Sequence, residues 1–378
     1  MNETIKKTIE RKILLNPGPA TTSIRVKESL IVEDICPREE EFGELVTNIR
    51  SKIKDVVNAD ETYEGVLLGC SGTGAIEACL SSCANSEDTI LIIENGAYGK
   101  RMKQICDALG IKSESLKFEW GSEIDWQLLR EHLASSKIKF KVVSLVHHET
   151  TTGILNSLSE LCKIAKEYNL RTLVDAMSSY AGIKIDLTVN SVEYLISSSN
   201  KCIQGMAGVG IVIAKRDELE RIKIFKKRSY YFDLFSNYNS QKERKQFLFT
   251  PPVQTLYALN AALDEFFEEG GIDFRSAKYS ELYDLMLKGL NDIGFKALLD
   301  QRNNSKILTT FLEPLDDKFS FKGMHKYLFE RGITIYPGKI DEKDTFRISN
   351  IGHLTREDIV KFLHLVKEYL STEGIELN

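Results

Sequence analysis

The middle of the chain alternates short apolar runs with longer segments of helical periodicity, and this alternation is the feature that most restricts its fold. Apolar runs bounded by polar turns are typical of strands that are buried on both faces of a parallel sheet. Helix-length segments between such runs predict βαβ units. The candidate strands are Gly65–Gly69, Thr89–Ile93, Phe140–Val146, Arg171–Asp175, Tyr194–Ser197 and Val209–Ala214. The helical segments between the earlier strands are Thr73–Ala84, Gly99–Leu109 and Leu158–Tyr168.

Beyond residue 250 two helical segments follow one another. Pro251-Pro252 begin the first, which runs to Phe267, and Gly270-Gly271 follow its end. Proline at the start of a helix and glycine beyond its end are the expected asymmetry. The second segment covers Ser280–Ile293. We place a domain boundary between the two segments, near residue 270.

The remainder of the chain mixes strands with a terminal helix. Strand-like runs stand at Lys306–Leu312, Ile333–Tyr336 and Thr345–Ser349. Thr355-Arg-Glu-Asp358 begins a helix whose apolar residues recur on one face. We therefore predict an N-terminal arm that reaches back to the functional site (1–20), a large α/β domain (21–270) and a small C-terminal α+β domain (271–378).

Composition excludes several classes of function. Of the 378 residues 28% are charged, the formal net charge is -5, and no basic stripe appears, which argues against a nucleic-acid-binding protein. The N-terminus has no apolar core of signal-peptide length, and no apolar run is long enough to span a membrane. The seven cysteines are scattered and odd in number, which favours reduced thiols over a disulfide framework. We expect a cytoplasmic protein with no nucleic-acid or membrane partner.

Lys201 is the residue that points most clearly to chemistry. It lies in the run Ile196–Gly205, where a strand-like segment rich in serine meets a glycine turn. A lysine in partly desolvated surroundings has a lowered pKa, and only its neutral amine attacks a carbonyl. These are the properties required of a lysine that forms a Schiff base with pyridoxal 5'-phosphate. A lone lysine is weak support, so the rest of such a site must also be present.

An anion-binding turn and a strand-end carboxylate precede Lys201 in the chain. Gly69-Cys-Ser-Gly-Thr-Gly74 follows a strand and begins a helix, so its N–H groups and the hydroxyls of Ser71 and Thr73 would face a phosphate. A generic helix cap is the alternative. Asp175 ends an apolar strand, where a buried carboxylate needs a partner such as a protonated ring nitrogen. The alternative for Asp175 is a cap of the following turn.

Three further features complete the chain order expected of a cofactor site. Tyr98 follows a strand and would stack on the cofactor ring, unless it is a plain core tyrosine. The hydroxyl-rich turn Thr150–Thr152 suits hydrogen bonds to a cofactor oxygen. Arg347, between Phe346 and Ile348, would bind a carboxylate or phosphonate, or else a structural acidic partner.

No metal site is predicted. His147 and His148 are neighbours on a strand, so their side chains point to opposite faces and do not suit one ion. Cys79 and Cys83 are four residues apart on a helical segment, but no matching pair of ligands stands nearby, and core packing is the better interpretation.

Seven segments together resemble the class-V, fold-type I aminotransferases, and within them the 2-aminoethylphosphonate–pyruvate transaminase family. The segments span nearly the whole chain: Leu14–Ser23, Asn95–Gly99, Glu149–Asn156, Val174–Ser179, Ser198–Gly205, Ile335–Lys339 and Phe346–Gly352. The resemblance implies a fold-type I pyridoxal-phosphate transferase. Its large domain would hold a mostly parallel seven-stranded sheet between helices, beside a smaller C-terminal α+β domain. It also implies a homodimer with active sites at the subunit interface.

The resemblance further implies a role for each matching residue. Lys201 would form the Schiff base and shuttle the proton, and Asp175 would pair with the ring nitrogen. Thr250 would reach the phosphate bound by the neighbouring subunit. The implied cofactor-binding residues are Ser71, Gly72, Thr73, Tyr98, Thr150, Asp175, Ser178, Asn200, Lys201 and Thr250. The implied substrate-binding residues are Arg347 and Gly18.

The implied activity is pyridoxal-phosphate-dependent transamination of 2-aminoethylphosphonate with pyruvate, which gives phosphonoacetaldehyde and L-alanine by a ping-pong mechanism. Three stretches depart from the family's usual residues: Arg38-Glu-Glu-Glu41, Met206-Ala-Gly-Val209 and Ser349. None of them belongs to the cofactor set. Arg38 is expected near the entrance to the substrate site, so these departures bear on which amine is used.

Three alternatives stay open. Another class-V aminotransferase, of the alanine–glyoxylate or serine–pyruvate type, would use the same cofactor residues with a carboxylate donor at Arg347. A cysteine desulfurase would have histidine before the lysine and a cysteine late in the chain, whereas Asn200 precedes Lys201 and no cysteine follows Cys202. A non-catalytic protein that keeps the fold is the third alternative.

Overall fold

We analysed a computed structural model of the chain. The structure describes residues 11–300, 304–338, 340 and 343–377. The helices are α1 (Ile24–Glu28), α2 (Glu40–Asp55), α3 (Gly72–Cys83), α4 (Ala97–Ala108), α5 (Trp126–Ser135), α6 (Leu158–Glu167), α7 (Arg216–Ile222), α8 (Leu234–Glu243), α9 (Val253–Glu268), α10 (Gly271–Ile293), α11 (Phe321–Phe329) and α12 (Arg356–Glu373). The strands are β1 (Ile13–Leu14), β2 (Tyr63–Leu68), β3 (Thr89–Glu94), β4 (Ser113–Lys117), β5 (Phe140–Val146), β6 (His148–Glu149), β7 (Ile154–Leu155), β8 (Arg171–Asp175), β9 (Tyr194–Ser198), β10 (Gly210–Lys215), β11 (Leu308–Leu312), β12 (Ile333–Thr334), β13 (Tyr336–Pro337) and β14 (Thr345–Ser349).

A seven-stranded sheet forms the centre of the molecule, in the order β2-β10-β9-β8-β5-β3-β4. Only β10 runs against the others, since it pairs antiparallel with β2 and with β9 while the remaining pairs are parallel. The six predicted central strands are all present within two residues of their predicted ends. The seventh, β4, was not among the candidates. Its sequence Ser-Glu-Ser-Leu-Lys is polar, and its side chains stay partly exposed at the sheet edge.

The parallel strands bring their carboxyl ends to one edge of the sheet, which is where ligands bind in folds of this kind. The turn at Gly69 follows β2, Tyr98 follows β3, His147 follows β5 and Asp175 ends β8. Lys201 lies three residues beyond the end of β9. The topology therefore gathers most of the predicted site residues along this edge.

Two large apolar clusters cover the two faces of the sheet, and a third lies in the C-terminal part of the chain. The third cluster also takes Ile13 and Leu15 from the N-terminal arm. The arm joins this part as a strand, because β1 pairs in parallel with β12. The proposed domain limits stay a prediction, and the first ten residues of the predicted arm lie outside the described residues.

The C-terminal part differs in detail from the sequence prediction. The second helical segment begins at Gly271 rather than at Ser280, directly after Gly270. The predicted strand Ile333–Tyr336 is two short strands, because β12 pairs with the arm while β13 pairs with β14 in a three-stranded sheet. Lys339, in the Ile335–Lys339 segment of the resemblance, lies outside the described residues. The terminal helix begins as predicted, with a capping box between Thr355 and Asp358.

Within the described part of the chain, no helix combines the length and the apolar composition needed to cross a membrane.

Candidate active site

The Lys201 side chain is enclosed between its own loop and the N-terminal arm. Its Nζ donates a hydrogen bond of 2.5 Å to the Pro17 carbonyl oxygen. Gly18 lies over the same side chain, and a Cβ at Gly18 would come within 2.5 Å of Lys201 Cδ and Nζ. Burial lowers the pKa of Lys201, as expected of a reactive amine.

Buried hydrogen bonds fix the backbone on both sides of Lys201. The Asn200 carbonyl oxygen accepts from the N–H of Ala20 in the arm at 3.0 Å. The Cys202 carbonyl oxygen accepts from Arg275 Nη1 at 2.6 Å and from the Tyr279 hydroxyl at 3.3 Å. Both donors belong to α10, so the lysine loop is held by the arm on one side and by α10 on the other.

Asp175 is the last residue of β8 and only 2% of its surface is exposed. Its Oδ1 accepts a hydrogen bond from the Met177 N–H at 2.8 Å. Burial raises the pKa of Asp175 to about 6, although that hydrogen bond and the nearby charges of Lys201 and Arg101 oppose the rise. A carboxylate at this position is therefore stabilised by any cation that binds beside it.

The predicted anion-binding turn lies at the N-terminus of α3. Ser71 is the N-cap, and its Oγ accepts from the Gly74 N–H at 3.4 Å. Ser71 and Thr73 are both exposed, which leaves the first N–H groups of a twelve-residue helix accessible to an anion. A Cβ at Gly72 would lie 2.3 Å from Met177 Sδ. The turn therefore packs directly against the segment that follows Asp175.

Arg347, on β14, is buried in the same region and only 1% exposed. Its Nε donates to the Pro337 carbonyl oxygen at 3.0 Å and its Nη1 to the Thr150 carbonyl oxygen at 3.3 Å. The Tyr98 side chain is also hydrogen-bonded to this guanidinium. Among the described residues Arg347 forms no ion pair with a carboxylate, so the alternative of a structural acidic partner loses support. A buried guanidinium without such a partner is suited to bind an acid group of a ligand.

Tyr98 is partly exposed near the start of α4, and the Arg101 guanidinium lies 4.7 Å from the centre of its ring. Thr150 is buried in the turn after β6. The charge interactions of Lys201 involve Tyr98, Asp175 and Arg347. Lysine, aromatic ring, strand-end carboxylate and arginine therefore lie around one site, although they come from distant parts of the sequence.

Ser178 lies after β8 and Asn200 before the lysine. The Ser178 carbonyl oxygen accepts from the Cys202 thiol at 3.1 Å, and Asn200 Oδ1 accepts from the Ser198 hydroxyl at 2.9 Å. The first contact joins the turn after Asp175 to the Lys201 loop, and the second lies within the segment that leads to Lys201.

His147 and His148 have different partners; His147 lies between β5 and β6, whereas His148 begins β6. His147 Nδ1 contacts Ser179 Oγ at 2.9 Å, whereas His148 Nε2 contacts Ser305 Oγ at 2.8 Å. Burial lowers the pKa of His147 to about 4 and that of His148 to about 3, so both rings are neutral near pH 7. In the described part of the chain, no group of three or more His, Cys, Asp or Glu side chains is arranged to hold a metal ion.

Arg38 contacts the segment of the chain that leads to Thr250. Thr250 is exposed, and its neighbour Phe249 stacks on Tyr231 with ring centres 4.9 Å apart. The Tyr231 hydroxyl donates to the Gly69 carbonyl oxygen at 3.1 Å, which ties this segment to the anion-binding turn. Arg38 Nη1 donates to the Phe247 carbonyl oxygen at 2.6 Å. The departure from the family pattern at Arg38 therefore bears on the segment that carries Thr250.

A model of the class-V aminotransferases matches residues 29–362. The chain belongs to the class-V aminotransferase family.

The alignments with curated relatives cover almost the whole length of this aminotransferase. The 2-aminoethylphosphonate–pyruvate transaminase of Bacillus cytotoxicus is 38% identical over 359 residues, which cover 94% of this chain and 97% of the relative. A bifunctional phosphonoacetaldehyde hydrolase/aminoethylphosphonate transaminase of Clostridioides difficile is 37% identical over 375 residues. That alignment covers 98% of this chain but only 58% of the relative, so the chain corresponds to little more than half of the bifunctional protein.

Solved structures confirm the predicted fold of this aminotransferase. The ureidoglycine–glyoxylate aminotransferase of Bacillus subtilis superposes with a TM-score of 0.89 at 20% identity, covering 98% of this chain and 95% of the other. At this identity the likeness concerns the fold alone. The predictions of a fold-type I architecture and of a pyridoxal-phosphate-dependent aminotransferase are thus confirmed.

The groups that this class-V aminotransferase brings together fit pyridoxal 5'-phosphate. Lys201 offers an amine of lowered pKa to an aldehyde, and Asp175 offers a buried carboxylate to a protonated ring nitrogen. The N-terminus of α3 offers N–H groups to a phosphate. The glycine at position 18 leaves free the space directly over the lysine amine, since any Cβ there would collide with it.

Sequence reasoning overlooked Glu149, a completely buried carboxylate in the middle of the site. Its Oε2 accepts from the Tyr98 N–H at 3.1 Å, and its Oε1 accepts from the N–H of Thr151 at 3.1 Å and from that residue's hydroxyl at 2.5 Å. The residue stood within the Glu149–Asn156 segment of the resemblance, but nothing in its local sequence indicated partners on α4.

Proposed function

We propose that this aminotransferase transfers the amino group of 2-aminoethylphosphonate to pyruvate, giving phosphonoacetaldehyde and L-alanine. The observation that carries the proposal is the buried Arg347 guanidinium, which has no described carboxylate partner and interacts with the charge of Lys201. An arginine so placed binds an acid group while the amine of the same molecule reaches the lysine. The relatives named for this reaction support 2-aminoethylphosphonate as the donor.

The cofactor residues divide into three groups by chemistry. We propose that Ser71, Gly72 and Thr73 hold the phosphate at the N-terminus of α3. Tyr98 and Thr150 would contact the ring face and the ring oxygen. Ser178 and Asn200 would support the same pocket from the Asp175 turn and the lysine loop. Bound pyridoxal 5'-phosphate supplies an aldehyde carbon and an electron-withdrawing ring.

Asp175 and Lys201 carry the chemical work in this proposal. The carboxylate of Asp175 holds a proton on the ring nitrogen, since burial without a cation beside it is unfavourable. Lys201 Nζ would hold the cofactor at its aldehyde carbon and, once the substrate amine has displaced it there, would accept the proton of the substrate carbon that bears nitrogen. The lowered pKa of Lys201 suits that task near neutral pH. Gly18 has no side chain, so the arm can pass directly over Lys201 without a collision.

We propose further that the protein is a cytoplasmic homodimer in which Thr250 reaches the phosphate site of the partner subunit. The exposure of Thr250 supports a contact with another subunit. The neighbouring Tyr230 is 85% exposed, which is unusual for a tyrosine of a monomer surface and suits an interface. Seven free cysteines agree with a reducing compartment.

A panel of amino donors tests the proposed reaction. The purified enzyme is loaded with cofactor and given pyruvate with 2-aminoethylphosphonate, serine, glycine or aspartate, and L-alanine is measured. Alanine and glyoxylate as a pair serve as the test of the alternative activity. We expect alanine to form fastest from the phosphonate and none to form with Lys201→Ala. Faster turnover with a carboxylate donor would assign the enzyme to another class-V activity, and a wild-type protein that shows no cofactor absorbance would support the non-catalytic alternative.

A further inference from the structure

We propose that Glu149 is a positioning residue, which fixes Tyr98 and the Thr150 turn and through them the Arg347 guanidinium. This inference rests on the proposed function for the role of Arg347. Glu149 is distinct from the groups that would touch cofactor or substrate, because its contacts are with the protein on every side.

Both carboxylate oxygens of Glu149 are used. Oε1 binds the Thr151 N–H and hydroxyl, and Oε2 binds the Tyr98 N–H. The Thr151 hydroxyl oxygen in turn accepts from the Ala97 N–H at 3.1 Å. Glu149 and Thr151 together therefore satisfy the first N–H groups of α4 from another part of the chain. Burial raises the pKa of Glu149, whereas the three donors and the helix N-terminus oppose the rise by favouring the ionised form.

Gly96 leaves the space that Glu149 occupies. Gly96 is the N-cap of α4 and has no side chain to cap the helix itself. A Cβ at this position would lie 2.2 Å from Glu149 Cγ and 2.3 Å from its Cδ. The backbone at Gly96 is extended, with φ of 174°, so alanine is excluded there by contact with Glu149 and not by backbone strain.

A closed ring of contacts connects Glu149 with Arg347, the residue proposed to bind the substrate acid group. Glu149 holds the backbone of Tyr98, the Tyr98 side chain bonds to Arg347, and Arg347 bonds to the carbonyl oxygen of Thr150, the residue after Glu149. A shift of Glu149 must therefore move the ring of Tyr98 and the guanidinium together. The carboxylate also lies near enough to Arg347 to interact with its charge.

The first experiment replaces Glu149 by glutamine, which keeps the shape but sets an NH₂ group against one of the N–H donors. The matched control is Glu218→Gln. Glu218 is also a buried carboxylate, but it pairs with Arg171 and Arg221 at the other end of the sheet. Thermal unfolding, the dissociation constant of pyridoxal 5'-phosphate for the cofactor-free protein, and the visible circular dichroism of the bound cofactor are measured for both variants.

We expect both variants to unfold at lower temperature, but only Glu149→Gln to weaken cofactor binding, by about tenfold or more, as befits one charge-assisted hydrogen bond. Its circular dichroism band should change, because the ring of Tyr98 turns. Its kcat/KM should fall more for 2-aminoethylphosphonate than for propylamine, which has no acid group. Equal losses for both amines, or unchanged cofactor affinity and circular dichroism, would show that Glu149 has only a structural role.

A second set of variants does not depend on how Glu149→Gln folds. Gly96→Ala should reproduce the loss of cofactor affinity, because its methyl group displaces Glu149. The double variant Gly96→Ala/Glu149→Ala should bind the cofactor no more weakly than Glu149→Ala alone, because the methyl group then enters vacated space. Additive losses would overturn the proposal. Cofactor affinity is measured without substrate, so a wild-type enzyme that rejects the phosphonate would disprove the proposed donor and leave this test intact.

Discussion

Replacing Asp175 by asparagine should stabilise the cofactor-free protein at neutral pH and lose this effect in acid. Asp175 is buried, and its pKa rises from 3.8 to about 6 on folding. The folded state therefore binds the proton more tightly than the unfolded state. For an acid shifted in this direction, stability falls as pH rises from 3.8 to about 6 and the penalty is fully present above that range.

The size of the effect follows from the shift. Raising the pKa from 3.8 to about 6 corresponds to a penalty of about 3 kcal/mol at pH 8, at 1.36 kcal/mol per pKa unit. Asparagine carries no such penalty, but its buried NH₂ group costs about 1 to 3 kcal/mol at every pH. The net gain at pH 8 is thus small, whereas the change in the mutational effect between about pH 4.5 and pH 8 is about 2 kcal/mol.

Urea unfolding of the cofactor-free wild type and variant, followed by intrinsic fluorescence across this pH range, measures that change. Asp358→Asn is a control of opposite sign, because the Arg11 guanidinium holds the pKa of Asp358 below its usual value. The contribution of Asp358 is present above pH 3.8 and is lost as pH falls, so its asparagine variant should be most destabilised at neutral pH.

Loading with pyridoxal 5'-phosphate should cancel the advantage of Asp175→Asn, because a protonated ring nitrogen then supplies the cation that the carboxylate lacks. The variant should keep the cofactor on Lys201 but transaminate slowly. An effect of Asp175→Asn on stability that is the same at every pH, or the same with and without cofactor, would show that burial does not raise the pKa of this carboxyl.

Two further changes test the lysine and the acid-binding end. Gly18→Ala should slow the appearance of the visible cofactor band and of alanine by about tenfold or more, since its Cβ would collide with Lys201 and its φ of 121° is unfavourable for alanine. An unchanged rate would mean that the arm does not confine the lysine. Arg347→Lys should raise KM for 2-aminoethylphosphonate by about 10- to 100-fold, because lysine lacks the planar fork that binds two oxygens of one acid group. A KM equal to that of the wild type would remove Arg347 from substrate binding.

The sequence predicted the strands of the sheet best where burial governs composition. β5 and β8 were predicted at their observed limits, since strands covered on both faces are continuous apolar runs. β4 was not predicted, because a partly exposed strand at the edge of a sheet needs no apolar pattern. The direction of β10 and the division between β12 and β13 depend on which strands they pair with, and pairing partners far apart in sequence leave no local pattern.

In the candidate site, too, some residues were predictable from the sequence and others were not. Asp175, Lys201 and Arg347 were predicted because each is a charged group at a position where a strand or an apolar run predicts burial. Glu149 was overlooked because its partners are backbone N–H groups on α4, and a backbone donor has no signature in the sequence. The hydrogen bond between Tyr98 and Arg347 was equally hidden, since neither residue type requires the other.

The buried ionisable groups Asp175, Lys201 and Arg347 distinguish this site from the rest of the sheet. Burial shifts the pKa of Asp175, Lys201 and Arg347 in each case towards the neutral form. Pairing such groups with one another, or replacing them by apolar residues, would make the protein more stable. Instead Arg347 is bonded to carbonyl oxygens and Lys201 to the Pro17 carbonyl, which orient the charges without neutralising them. We propose that a ring cation beside Asp175 and an acid group beside Arg347 complete these contacts, since neither side chain forms an ion pair with another described residue.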